Sequence, residues 1–224
     1  MPQNDAVVVI CTYNEADNIG GILAELSALN YSTILVDSNS PDGTADIAAD
    51  VERVEVLRSP NYGIAHAYYW AFERALWYGV ENGINYIVQM DAGWSHDPIL
   101  IRPMLNLAKE CNADLIIGSR FLHPHGWPSY RTSISLMAAW LMRRRGVPVR
   151  DATSGFRVWR RKTLHEAFMR PHRARGFAFQ LELLWSAHRA GAVIAEYPIP
   201  YRLTNSSFRW GMVAESLQIY GGLR

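Results

Sequence analysis

Short apolar runs alternate along this chain with longer stretches in which apolar residues recur every three or four positions. Residues 6–11 and 33–36 are apolar enough to be strands covered on both faces, and between them Ile19, Ile22, Leu23 and Leu26 keep the spacing of one helix face. That is a βαβ start. Further strands are expected at 54–57, 86–90 and 115–117, and further helices at 65–78 and 99–108, the latter opened by Asp97 with Pro98 at its first position. After Arg120 the pattern changes to a loop with Pro and His, a short apolar helix ending in Arg143-Arg144-Arg145, a helix near 179–189 and a strand near 193–197. The expected fold is α/β: a Rossmann-like, doubly wound, mostly parallel sheet with helices on both faces, in a single domain over 1–224.

Composition narrows the class without naming a chemistry. With 49% hydrophobic residues in 224, the chain can bury a substantial core. A net charge of +1 gives no global argument for nucleic acid. Cys11 and Cys111 have neither metal spacing nor a disulfide framework, and His96, His123 and His125 show no zinc pattern. The opening Met1-Pro2-Gln3-Asn4-Asp5 has no charged leader, and no run reaches the ~18 apolar residues of a membrane span. The expected location is the cytoplasm, either free or peripheral at the cytoplasmic membrane face.

Polar residues collect where the strands should end. The first strand runs out into Thr12-Tyr13-Asn14-Glu15, the second into Asp37-Ser38-Asn39-Ser40-Pro41-Asp42-Gly43-Thr44, and the strand 86–90 into Asp91-Ala92-Gly93. In open α/β sheets the crevice outside the carboxyl ends of strands is the ligand site, so Asp91 is the first candidate to hold a cation, with a loop Asp that caps the next helix as the competing explanation. Local turn chemistry is the competing explanation for Asp37 and the stronger one for Asp42.

With Gly118-Ser119-Arg120-Phe121, Asp151-Ala152-Thr153-Ser154-Gly155-Phe156-Arg157 and Gly176-Phe177-Ala178-Phe179-Gln180-Leu181-Glu182, these segments form an ordered set from about Val7 to about Met212. In that set the chain resembles the family 2 glycosyltransferases, more narrowly their dolichyl-phosphate mannose synthase-like branch. The resemblance implies a GT-A fold in which residues 1–120 bind a nucleotide-diphosphate sugar and 121–224 form the acceptor side. It also implies a divalent cation, Mg²⁺ or Mn²⁺, on Asp91, and inverting transfer of the sugar to an acceptor such as polyprenyl phosphate. Donor contacts then fall to Thr12, Tyr13, Asn14, Glu15, Asp37, Ser38, Arg157, Arg202 and Arg209, and the catalytic set to Asp91, Arg120, Asp151 and Glu182.

Two positions depart from the pattern. Ser38 stands where the family has a second Asp after the second strand, and Gly93 where it has the second Asp of Asp-x-Asp. Mg²⁺ can be held by one or two carboxylates plus substrate phosphates, so Asp91 with a diphosphate still makes a site, though a weaker one. Ser38 offers a neutral hydrogen bond, about half as strong as the charge-assisted one a carboxylate makes, so base selection should weaken or change.

Arginines suit a leaving diphosphate because they stay charged and donate in a fork. Arg120 and Arg157 are the first candidates for phosphate contact, with Arg202 and Arg209 in the terminal run; the alternatives are ordinary surface ion pairs for the first two and a polar loop without a ligand for that run. A sugar hydroxyl acceptor needs a general base and a phosphate does not. Asp151 and Glu182 are the candidate bases, each with a structural alternative: Asp151 as an anchor for its turn, Glu182 as a helix residue. The helix through Ile134, Leu136, Met137, Trp140 and Leu141, closed by three arginines, is either a core helix with a basic end or a surface that lies at lipid headgroups. Two other functions remain open: a degenerate sugar-nucleotide or partner-binding protein, and a glycosyltransferase with an unusual acceptor such as modified nucleic acid.

Overall fold

A computed structural model describes residues 5–122, 129–200 and 210–223, with the backbone alone at 129–132 and 210–213. The first half runs β1 (Ala6–Thr12), α1 (Ala16–Ala28), β2 (Ser32–Asp37), α2 (Thr44–Ala49), β3 (Val54–Arg58), α3 (Ile64–Asn82), β4 (Tyr86–Asp91), α4 (Ile101–Glu110) and β5 (Leu115–Ser119). The second half adds α5 (Ser129–Arg144), β6 (Arg157–Arg160), α6 (Arg161–Phe168), α7 (Phe179–Arg189), β7 (Ile194–Pro198) and α8 (Trp210–Gly222). The expected strands and helices are present, and β6, α2, α6 and α8 are additional to them. Asp97 caps a 3-10 turn at Pro98–Leu100, its carboxylate accepting from the Ile99 amide at 3.1 Å, and this turn leads into α4.

Among the described residues, seven strands form one sheet in the order β3-β2-β1-β4-β6-β5-β7. All neighbours are parallel except at β6, which runs antiparallel to both β4 and β5. The central strands are apolar throughout because both faces are covered. Val7, Val9, Cys11 and Ile87 pack under α3 and α7, with Ala138 and Met142 of α5 in the same layer. Val8, Ile10, Val88 and Met90 pack under α1 and α4. Alternation along β4 therefore turns Asp91 toward the α3 and α7 side.

The reversed strand matters most for function. β6 starts where the parallel strands end, since Arg157 pairs with Gln89 of β4 and Ile117 of β5. Its incoming loop, 151–156, is thereby delivered to the same rim as Asp91. Strand β6 escaped the sequence reading because it has four residues and is flanked by arginines, Arg-Val-Trp-Arg, with no apolar run to mark it.

Candidate active site

Parallel register aligns the strand exits. Cys11 pairs with Asp91 and Thr12 with Asp37, so the loops after β1, β2 and β4 leave the sheet at one level. The Tyr68 hydroxyl, from α3, donates to the Met90 carbonyl at 3.0 Å and fixes the end of β4. Asp91 then emerges with its side chain 47% exposed.

One wall is a network of two loops. Asp37 is buried, and its carboxylate accepts from Thr12 Oγ1 at 3.0 Å, Ser40 N at 2.8 Å and Ser40 Oγ at 2.5 Å. Asn14 N donates to Ser40 Oγ, Glu15 N to Thr44 Oγ1, and Ala16 N to Asp42, which also holds Thr44. Asp42 is thus a turn residue, as its local chemistry suggested. Asp37 has a structural part in this wall: its oxygens are engaged in shaping the loop. Thr12 and Ser38 are buried beside it, while Tyr13 is half-exposed and Asn14 takes a left-handed φ of 58°. Glu15 turns its carboxylate to Asn18 at 3.0 Å.

The opposite wall comes from β5 and the loop 151–156. Arg120 donates from Nε and Nη2 to the two oxygens of fully buried Asp151, at 2.7 and 2.8 Å, and Nη2 also reaches Thr153 Oγ1 at 2.8 Å. Burial pushes the Asp151 carboxyl up, but the Arg120 charge and the hydrogen bonds from Arg120 and Thr153 outweigh it and hold the pKa below the usual range. A carboxylate so held is a poor general base, and Asp151 acts instead as the anchor for Arg120.

Two expectations are corrected. Arg157 is fully buried, not on the rim, and its guanidinium donates to the carbonyls of Ala152, Ser154 and Gln180 at 2.8–2.9 Å. It has no reach to a phosphate; it ties the 152–154 turn to the start of α7. Glu182, also buried, accepts the backbone amides of Arg173 and Ala174 at 2.9–3.1 Å, so it clamps the segment before α7 and is not placed as a base. Glu215 of α8 takes the next two amides, Arg175 and Gly176, at 2.8 Å. Arg202 and Arg209 lie outside the described residues, as do His123 and His125.

Sequence reasoning passed over the residues that surround Asp91 most closely. A Cβ added to Gly155 would lie 3.0 Å from Asp91 Oδ1, 3.5 Å from Gln180 Nε2 and 3.5 Å from His96 Cε1. Gly155 is therefore the floor on which these three side chains converge. His96 is buried and stacked on Phe156, with ring centroids 4.9 Å apart. Burial lowers its pKa, with Asp91 and Asp151 opposing and Arg120 assisting. The Asp-x4-His spacing across a tight loop was its signal.

Set against known proteins, the profile of glycosyl transferase family 2 matches residues 7–168. The chain belongs to glycosyl transferase family 2. Within it the protein is 34% identical over 213 residues to the polyprenol monophosphomannose synthase of Mycolicibacterium smegmatis, covering 89% of this chain and 78% of that one. It is equally 34% identical over 226 residues to the undecaprenyl-phosphate mannosyltransferase of Micrococcus luteus, covering 94% and 90%. These relatives place this glycosyltransferase in the dolichyl-phosphate mannose synthase-like branch. Its GT-A fold is shared with a glucosyl-3-phosphoglycerate synthase of Mycobacterium tuberculosis solved with Mn²⁺ and UDP-glucose (TM-score 0.70, 20% identity, 96% of this chain and 76% of that one). A mannosyl-3-phosphoglycerate synthase of Rubrobacter xylanophilus gives 0.72, 16%, 97% and 72%.

Among the described residues of the glycosyltransferase, no three His, Cys, Asp or Glu side chains group as metal ligands, and no helix is long and apolar enough to cross a membrane. What β4 offers a cation at the rim is the half-exposed carboxylate of Asp91. That donor set fits an ion whose remaining ligands are diphosphate oxygens and water.

Proposed function

We propose that this family 2 enzyme transfers a hexose, with inversion, from a nucleotide-diphosphate sugar to a polyprenyl phosphate. The observation that carries the reading is the fate of the two candidate bases. Asp151 is tied to Arg120 and Glu182 to two backbone amides, so the site is better suited to a nucleophile that arrives already ionised. A phosphate monoester is such a nucleophile. Its oxygen forms the new bond to the anomeric carbon from one face while the bond to the diphosphate breaks on the other, and the nucleoside diphosphate leaves with the electron pair. The polyprenyl-phosphate acceptors named for the two mannosyltransferase relatives support the same choice.

In this reading residues 1–120 bind the donor and 121–224 receive the acceptor. Asp91 would hold Mg²⁺ or Mn²⁺, which when bound supplies positive charge to the diphosphate. Arg120, oriented by Asp151, donates to the departing phosphate from the other wall. The acceptor side carries a surface that suits lipid: Leu136, Met137 and Trp140 of α5 are exposed, and the Arg144 guanidinium lies 4.3 Å from the Trp140 ring centroid.

Calorimetry of nucleotide-diphosphate sugars against the purified chain, with Mg²⁺, Mn²⁺ or chelator, tests the donor half. Selective metal-dependent binding that Asp91→Ala abolishes, in a variant with an unchanged melting temperature, is expected. Equal affinity in both proteins would remove Asp91 from the site. Release of nucleoside diphosphate only when a polyprenyl phosphate is added tests the acceptor half; a sugar alcohol that serves equally well would defeat it.

A further inference from the structure

Both ring nitrogens of His96 address the same residue. The Asp91 amide donates to His96 Nδ1 at 2.9 Å, and His96 Nε2 lies 3.7 Å from Asp91 Oδ2. A backbone amide only donates, so Nδ1 must present its lone pair, and a neutral ring then carries its hydrogen on Nε2. The main chain thereby fixes the tautomer. With a hydrogen on Nε2 and the Nδ1 lone pair engaged, the ring has no lone pair free for a metal, so His96 is no replacement ligand for the carboxylate missing at Gly93. What it presents to Asp91 is an N–H donor.

We propose that His96 is a positioning residue, whose Nε2–H orients the Asp91 carboxylate for metal-supported donor binding. The proposal rests on the reading of Asp91 given above. The ring is fixed on three sides: it is buried, stacked on Phe156 at an interplanar angle of 18°, and bonded at Nδ1. The carboxylate is the movable partner, half-exposed, with Oδ1 beside Gly155 and Oδ2 toward the imidazole. A separation of 3.7 Å is longer than a formed hydrogen bond, and hydrogen bonds in ligand-free sites commonly tighten when the ligand arrives. Orientation matters more here than in a site with two acidic residues, because Gly93 supplies no second carboxylate and, among the described residues, no three His, Cys, Asp or Glu side chains group as metal ligands. Partners of this kind typically change metal affinity by 10–100-fold.

Two substitutions separate this role from simple anchoring of the loop. In His96→Asn the shorter side chain keeps an acceptor near the Nδ1 position and loses the distal donor. In His96→Gln the longer one carries an amide N–H out to the Nε2 position and loses the near acceptor. Mn²⁺-dependent binding of UDP and of GDP is measured by calorimetry for wild type and both variants, with thermal unfolding to confirm the fold. Positioning predicts His96→Gln within about threefold of wild type and His96→Asn about tenfold weaker. The reverse order, equal loss in both, or no loss in either would overturn it. A nitrogen-15 spectrum of the free protein's imidazoles adds a readout independent of the donor: the neutral Nε2-protonated form is expected, and the Nδ1-protonated form would overturn the proposal even if donor binding stands. A wild type that binds neither nucleotide with Mn²⁺, while its spectrum shows the expected tautomer, would locate the failure in the donor-site reading on which the role depends.

Discussion

Arg120 and Asp151 meet as a forked ion pair between the end of β5 and the turn before β6, Nε to Oδ2 at 2.7 Å and Nη2 to Oδ1 at 2.8 Å, with the Arg120 amide also donating to Oδ2 at 3.1 Å. The pair aims one side chain by burying the other: Asp151 is inaccessible, whereas the Arg120 side chain keeps 18% of its surface. A free arginine at a phosphate site loses more conformational entropy on binding than one already held by a fork.

The pH dependence of stability follows from the same contact. Asp151 has a folded pKa below its ordinary value of 3.8, so its contribution is fully present above that value and is lost as pH falls through the lower folded value. Asp151→Asn should cost about 3 kcal/mol near neutrality, the lower end for breaking a buried pair. Its deficit relative to wild type should shrink as pH falls below about 4. Urea melts of both proteins across the acid range check this; curves that stay parallel would show that the pair does not titrate as assigned.

Arg157 tests the claim that a buried arginine can be purely architectural. Replacing it with Met leaves the carbonyls of Ala152, Ser154 and Gln180 without their donors inside the protein. At roughly 1 kcal/mol or more for each unsatisfied buried acceptor, Arg157→Met should lose about 3 kcal/mol or more. Arg157→Lys should recover only part, because an ammonium cannot reproduce the planar fork. A phosphate-binding Arg157 predicts the opposite signature: near-normal stability in the denaturant melt with weakened nucleotide binding.

The parallel half of this fold was legible because its strands are buried on both faces, so Val7 to Cys11 and Ile34 to Val36 read as unbroken apolar runs. The three rim loops were legible for a related reason: a polar cluster after such a run marks a strand exit. Strand β6 was not, since its charged ends are satisfied by tertiary contacts that no local pattern reveals. The same blindness explains Arg157 and Glu182. Their residue types suggested phosphate and proton chemistry, but whether a charge faces a crevice or a set of backbone groups depends on packing between elements far apart in the chain. His96 was not legible for the converse reason: it has no zinc spacing, and its place at the rim depends on the hydrogen bond its Nδ1 accepts from the Asp91 amide.

Gly155 gives a steric test of the same arrangement. A methyl at this position would stand 3.0 Å from Asp91 Oδ1, closer than side-chain carbons normally come, while the neighbouring Gln180 and His96 atoms sit at 3.5 Å. The half-exposed carboxylate is the group able to yield, so Gly155→Ala should shift Asp91 with a stability change of about 1 kcal/mol or less. Metal-dependent nucleotide affinity should fall about tenfold, as when a ligand loses its support. Unchanged calorimetric affinity in a folded Gly155→Ala protein would mean that Asp91 binds from a different orientation.

The lipid-facing role proposed for α5 makes a prediction that separates charge from insertion. Trp140 is 46% exposed, Leu136 and Met137 lie within one turn of it, and Arg143 and Arg144 close the helix, so an anionic surface is met by both apolar and cationic groups. Wild type should sediment with vesicles rich in phosphatidylserine and much less with phosphatidylcholine alone. At about 1 kcal/mol per basic residue, Arg143→Gln with Arg144→Gln should weaken anionic binding roughly 30-fold at low salt and reduce its salt dependence. Trp140→Ala should weaken both vesicle types and leave the salt dependence intact, because it removes insertion and not charge. Equal binding by all three proteins would mean that α5 does not face lipid, and a polyprenyl phosphate would then have to reach the Arg120 wall along another surface.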